Sequence, residues 1–389
     1  MASHLYTSIF KYMKRAILNT FIFILPVVLF FSFPVLVIFL SREYLSPKDV
    51  VLFQNIHKDA LYRNRYNTGS FIPYKKALFE MRDPDIFMLG SSRALQARKD
   101  FFNLPESYMN AGLAGKTFDD MRFFIESIPS SGKHRTLLLV IDREMFLTNP
   151  SLSNGHEDDS LSLFGFHFNL PLKNARGIYL DYFVRKKYSF KDLVASYYDG
   201  KTLGIVSFMD GNGFRSDGSY RNYIESKDPT LSKNVITESN GIAKNILEIR
   251  DNFPAPGPEY ISGNLKILQE VLELSKSKNI TVIGFIPPYM TSINHATLDP
   301  HSLNGGMYRD MTNQIAETFK NEHVNFYDLS DISLYGGSDS EFLDTVHGTD
   351  VLYAKLSLYL AEHDVLAGKL FNSAMLKRLI KNSKNGFLQ

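Results

Sequence analysis

The dominant feature of the hydrophobic pattern is a run of twenty residues without a charge, Phe21 to Leu40. At about 1.5 Å per residue it reaches roughly 30 Å, the thickness of a bilayer core. Apolar character extends back to Ala16, broken only by Asn19 and Thr20, and Pro26, Ser32 and Pro34 lie inside the run. A membrane helix tolerates such residues better than a soluble one does. Lys11, Lys14 and Arg15 precede the run, whereas Arg42 and Glu43 nearly cancel behind it. Basic residues favour the cytoplasmic side. This predicts a single-pass protein of the inner or plasma membrane: residues 1–15 cytoplasmic, an anchor over 16–40, and the rest periplasmic or extracellular. A cleaved signal peptide would have a shorter apolar stretch, and Ser41-Arg42-Glu43-Tyr44 is a poor cleavage site. A buried core helix is the other alternative; the length and the basic flank argue against it.

Residues 41–83 are mixed and polar, with Tyr62, Tyr66 and Tyr74 among basic residues, and read as a juxtamembrane connection. Short apolar runs then alternate with helical spacing. Strands are predicted at 85–90, 108–112, 137–142, 280–286 and 324–329, the third being the clearest. Helices are predicted from Thr117 (a plausible N-cap) to Ile128, and over Tyr260–Lys276, Met307–Phe319 and Val351–Leu360. Residues 150–255 break the pattern and are rich in Ser, Asn, Asp, Gly and Tyr. A structureless loop of that length is implausible, so the segment is expected to be an insertion or cap with some helix of its own, around Lys191–Tyr198. Strands separated by helices predict an α/β domain over 84–365, with a mainly parallel sheet covered on both faces and its site at the carboxyl ends of the strands. A basic tail, 366–389, follows.

Length and composition narrow the function. The 389 residues allow one large domain with insertions, and 43 Lys and Arg against 41 Asp and Glu leave a net charge of +2, which does not suggest a nucleic-acid partner. With no cysteine there is no thiolate nucleophile, thiolate metal site or disulfide. His156 and His167 have no paired carboxylates at ligand spacing, so neither a metal nor a cofactor is expected. Asp210-Gly211-Asn212-Gly213 reads as a turn rather than a phosphate loop.

Two motifs carry chemistry. The first strand ends in Gly90-Ser91-Ser92-Arg93, directly before helix-compatible sequence. A serine in that turn lies beside backbone N–H groups able to hold an oxyanion, although helix capping alone would also explain it. Near the end of the domain stands Asp344-Thr345-Val346-His347. An aspartate three residues before a histidine can hold Nδ1 and leave Nε2 to deprotonate a serine, although a surface turn would also explain it. Both motifs follow strands, so Ser92, Asp344 and His347 are expected to converge at one sheet edge as a catalytic triad.

Taken together the motifs resemble the SGNH, or GDSL-type, hydrolase superfamily, over about Asp85–Ile141 and Tyr260–Leu360. The resemblance implies a three-layer α/β/α fold. It makes Ser92 the nucleophile, with the amides of Ser92 and Gly115 (from Asn110-Ala111-Gly112-Leu113-Ala114-Gly115) as oxyanion donors. Two positions depart from the family. Ser91 replaces the acidic residue of the first block, and Ile141-Asp142-Arg143-Glu144 stands where Gly-x-Asn-Asp is expected. Losing the Asn donor would cost roughly 10²–10³ in rate unless another group replaces it, with Arg143 or the insertion as candidates. The Gly-Ser-Ser block together with the anchor is similar to membrane-anchored members that serve teichoic-acid D-alanylation and alginate O-acetylation. That similarity implies a multi-pass membrane O-acyltransferase as partner and a polysaccharide or teichoic-acid-like acceptor.

The expected function is acyl transfer or ester hydrolysis through an acyl-enzyme on Ser92, with the insertion as a lid. The alternatives are a non-catalytic SGNH-like module that binds polysaccharide or scaffolds a membrane partner, and a plain envelope esterase. Arg93, Arg143 and Tyr289 are candidate substrate contacts, against surface or core packing. Lys377, Arg378, Lys381 and Lys384 of the tail are read as a solvated helix face.

Overall fold

The apolar run belongs to one long helix, α1 (Ala2–Leu40), with Pro26 and Pro34 inside it. The computed structural model describes residues 2–67, 71–130, 132–147, 169–222, 231–248, 258–301 and 305–383. His156, His167, the stretches 150–168, 223–230 and 249–255 of the expected insertion, and Lys384 of the tail lie outside them. The chain separates into two units. One comprises Met1–Ser46, Tyr62–Gly69 and Asp158–Met209; the other comprises Pro47–Leu61, Ser70–Glu157 and Asp210–Gln389. Both the juxtamembrane segment 41–83 and the insertion 150–255 are therefore divided between units rather than forming pieces of their own.

In the smaller unit, the stretch of α1 from Lys11 to Leu40 contains a window with a mean hydropathy of 2.9 and is long and apolar enough to cross a membrane. Its environment changes along its length. Residues 11–32 are exposed, whereas Val37 and Ile38 are fully buried against Ile178, Tyr182, Leu193 and Ile205. The final turns of the expected anchor thus belong to a protein core. Arg42 ends the helix in the left-handed region (φ 59°), and the Glu43 amide reaches back to the Ile38 carbonyl at 3.0 Å. The buried Glu43 carboxylate accepts the amides of Arg65, Tyr66 and Asn67 at 3.0, 2.6 and 3.2 Å. Burial nevertheless raises its pKa.

The larger unit is built on five strands: β1 (Ile86–Gly90), β2 (Tyr108–Gly112), β3 (Arg135–Val140), β4 (Ile280–Ile286) and β5 (Asn325–Asp328), in the order β2-β1-β3-β4-β5. All four pairings are parallel, and Gly90 lies opposite Gly112, so β1 and β2 end level. The class is the expected α/β with a parallel sheet. Side chains alternate between faces along each strand. Ile86, Met88, Leu138, Val140, Ile283 and Phe285 pack with Tyr353, Leu356 and Leu360 of the helix Asp350–His363. Phe87 instead meets Phe79 of the helix Ile72–Arg82 at 5.2 Å and Phe124 of the helix Phe118–Glu126 at 6.5 Å. Gly284 is required in β4, because a Cβ there would lie 2.3 Å from the Phe319 ring.

The described part of the carboxyl-terminal segment, residues 366–383, packs on the larger unit's core. Phe371 packs on Phe102 at 4.9 Å, and Leu376 is fully buried in the same core.

Candidate active site

Gly90 ends β1 in a tight fit, since a Cβ there would approach the Val140 Cβ to 2.7 Å and the Val140 carbonyl to 3.0 Å. Ser91 stays extended, and its Oγ accepts the Arg93 amide at 3.1 Å. Ser92 then opens a 3₁₀ helix of only five residues, Ser92–Gln96. One such turn carries little dipole, so the Ser92 environment rests on individual N–H groups rather than on a helix field. Among the described residues the Ser92 amide donates to no protein acceptor, as the first amide of a helical turn commonly does not.

The loop after β2 braces this turn. Leu113, held at φ 70°, donates to the Ser91 carbonyl, and Gly115 donates to the Gly90 carbonyl, each at 3.1 Å. The resemblance implies a Gly115 amide turned to an oxyanion; in this structure that N–H donates to the backbone of the turn that carries Ser92. Asn110 clamps the same turn, donating to the Ala94 and Ala97 carbonyls at 2.7 and 2.8 Å and accepting the Gly112 amide at 2.8 Å. The buried Lys75 donates to the Asn110 and Gly218 carbonyls at 2.9 and 2.5 Å. Burial among them lowers its pKa to about 7, with Asp217 opposing that shift.

His347 arrives from the loop before the helix Asp350–His363. Phe342 pairs with Gly348, and Leu343 donates to the His347 carbonyl at 2.8 Å, closing a small hairpin. Within it Asp344 Oδ1 accepts the Val346 and His347 amides at 2.8 and 2.7 Å, an Asx turn that fixes the carboxylate. Its Oδ2 lies 2.7 Å from His347 Nδ1, and His347 Nε2 lies 2.8 Å from Ser92 Oγ. Burial works against the charge of Asp344, but His347 and the two amides outweigh it and hold the carboxyl below its ordinary range. With Nδ1 on the aspartate, Nε2 is the ring nitrogen that faces the serine hydroxyl, the arrangement an acid–base relay requires.

No protein-family model matches this chain, and no curated protein matches its sequence. The chemical reading therefore rests on the residues themselves.

The three expected substrate contacts form a buried stack beside the relay. Arg93 is only 4% exposed; it donates to the Pro288 carbonyl, and its guanidinium lies 3.8 Å from the Tyr289 ring centre. Asp142 and Glu144 lie 3.5 and 3.7 Å from it. Arg143, fully buried on the same ring at 5.0 Å, donates to Asn294 at 2.9 Å and Ser330 at 2.7 Å and pairs with Asp328 at 3.3 Å. The Tyr289 hydroxyl donates to Glu144 at 2.6 Å. Donors of Arg93, Arg143 and Tyr289 reach protein groups, so these three side chains brace the stack. Sequence reading missed Asp142 and Glu144 as partners in this stack. The available signal is a charged triplet directly following the apolar run Leu137–Ile141. Burial raises Asp142 to about 6, with Arg93 opposing and Glu144 adding to the rise.

Proposed function

We propose that the chain is a membrane-anchored serine esterase or O-acyltransferase of the SGNH type, acting on O-acyl groups of a cell-envelope polysaccharide or related polymer. The observation that carries this reading is the Ser92–His347–Asp344 relay, whose serine and histidine are 255 residues apart and 2.8 Å from contact to contact. A parallel sheet packed by helices on alternate side-chain faces is compatible with that superfamily's three-layer arrangement.

In the first half-reaction Ser92 Oγ attacks the acyl carbonyl carbon while its proton passes to His347 Nε2. The tetrahedral oxyanion accepts from the Ser92 N–H. Collapse breaks the bond to the donor oxygen, which takes the proton from Nε2 and leaves an ester on Ser92. In the second half-reaction a sugar hydroxyl (transfer) or water (hydrolysis) gives its proton to Nε2 and attacks that ester. Collapse returns the proton to Ser92 Oγ. Asp344 stabilises the imidazolium in both halves. The basic flank of α1 supports a cytoplasmic N-terminus with the site on the outer side, where a multi-pass membrane O-acyltransferase would deliver the acyl group.

A second reading, a non-catalytic module that binds polysaccharide, is favoured by two observations: the Gly115 amide donates to Gly90, and Ile141-Asp142-Arg143-Glu144 contains no Asn. A fluorophosphonate probe separates the two. Full-length protein in detergent is expected to label, and Ser92→Ala to abolish labelling without lowering the melting temperature. Folded wild-type protein that stays unlabelled supports the module instead.

A further inference from the structure

In the smaller unit the helix Asn169–Tyr179 runs into a single π-helical turn, Leu180–Val184, closed by the Arg185 amide on the Leu180 carbonyl at 2.7 Å. The widened turn keeps Asp181 and Tyr182 buried but turns Phe183 and Val184 outward, 60% and 69% exposed. These residues lie beside α1. Phe30 stacks on Tyr179 at 4.7 Å, Phe33 meets Phe183 at 5.1 Å, and Tyr179 stacks on Phe183 at 5.7 Å. Phe183 thus continues, on a second element, the exposed apolar surface of α1.

Three basic residues follow at once: Arg185, Lys186 and Lys187, all exposed. Arg185 shares the buried Asp181 carboxylate with Arg65, at 3.1 and 2.9 Å. Lys187 lies 5.3 Å from the Tyr188 ring, and neither it nor Lys186 makes an ion pair among the described residues. Lys186 holds a left-handed backbone (φ 49°), which ends the apolar turn abruptly.

We infer that Tyr179–Lys187 is an interfacial membrane element, with Phe183 and Val184 entering the acyl region and Lys186 and Lys187 lying against anionic lipid headgroups. Two independent features support this: continuity with the exposed face of α1, and an apolar pair meeting a basic run at the level where α1 passes into protein. A bilayer edge there leaves Ala16 to Phe33 as the span. Eighteen residues cover about 27 Å, close to a bilayer core. Aromatic and basic residues at that level match the composition of membrane interfaces.

The inference rests on the reading of α1 as membrane-spanning, and the test separates the two. The chain has no tryptophan, so one substitution supplies a unique fluorophore. Full-length Phe23→Trp and Phe183→Trp are reconstituted in vesicles of phosphatidylcholine and phosphatidylglycerol whose acyl chains are brominated either near the headgroup or near the methyl end. Phe23→Trp is expected to be quenched best by the deep bromines and Phe183→Trp by the shallow ones, with Val184→Trp behaving like the latter. Adding Lys186→Gln and Lys187→Gln should weaken shallow quenching about twofold or more with phosphatidylglycerol present, and leave it unchanged in phosphatidylcholine alone. Quenching of Phe23→Trp while Phe183→Trp and Val184→Trp are reached only by aqueous iodide overturns the inference alone. Loss of quenching at Phe23→Trp as well overturns the anchor reading with it. Equal quenching of the lysine variants in both lipid mixtures overturns the headgroup contact.

Discussion

Ser92 and Arg93 are adjacent in sequence and have opposite fates. Ser92 Oγ faces a half-buried imidazole, and its amide makes no hydrogen bond among the described residues; Arg93 turns inward onto the Tyr289 ring and the Pro288 carbonyl. In the relay, Ser92 Oγ and His347 Nε2 face each other, while Asp344 is held by His347 Nδ1 and two amides. The stack beside it consists of side chains whose polar atoms face protein. A charge next to a nucleophile is thus no measure of substrate binding. The stack holds the turn, while under the proposed function the relay acts on a substrate.

The largest effect that should separate these regions is kinetic. Asp344→Asn keeps an acceptor for the hairpin amides but no longer holds the productive tautomer. Turnover of an aryl ester should fall about 10²–10⁴-fold. The same variant has a pH signature. Because the folded-state pKa of Asp344 lies below its unfolded value, its contribution to stability is present above the ordinary carboxylate range and is lost as pH falls through the lower folded value. Melting temperatures of wild type and Asp344→Asn should therefore differ near neutrality and converge in acid.

Arg143→Met tests the stack. It leaves Asp328, Asn294 and Ser330 without their shared donor, and should cost about 3–5 kcal/mol in denaturant unfolding. Whatever protein remains folded should keep fluorophosphonate labelling. Parallel loss of labelling and stability across graded stack variants would erase the distinction between strut and relay. The smallest effect is expected from Tyr289→Phe, which removes the hydrogen bond to the half-exposed Glu144 and the acceptor of the buried Arg143 amide, and should cost about 1–3 kcal/mol.

The sequence made some of this legible and left the rest hidden, for physical reasons. Parallel strands buried on both faces read as apolar runs, so Ile86–Gly90 and Ile280–Ile286 were visible within a residue of their ends. Thr117 was visible as a cap and makes a full capping box with Asp120. A triad joined through strand ends could be inferred because its residue types are chemically specific. Burial of charge has no comparable signature. Nothing in the letters distinguishes Arg93, Arg143 or Lys75 from surface cations, because their compensation comes from distant carbonyls, rings and carboxylates. Nor does apolarity distinguish lipid from protein as neighbour. Ile24 and Ile38 look alike in the run, yet one is exposed and the other fully buried. The brace from the Gly115 amide to Gly90 is not legible either, because a glycine after a strand suits both an oxyanion loop and a close backbone brace.

The most direct test is to trap the covalent intermediate. Full-length protein mixed with an activated aryl acetate, quenched in acid within the first turnover and digested, should yield one acetylated peptide with the acetyl on Ser92. The adduct should vanish in His347→Ala. No adduct on folded wild-type protein, or an acetyl elsewhere with Ser92 unmodified, would contradict the account.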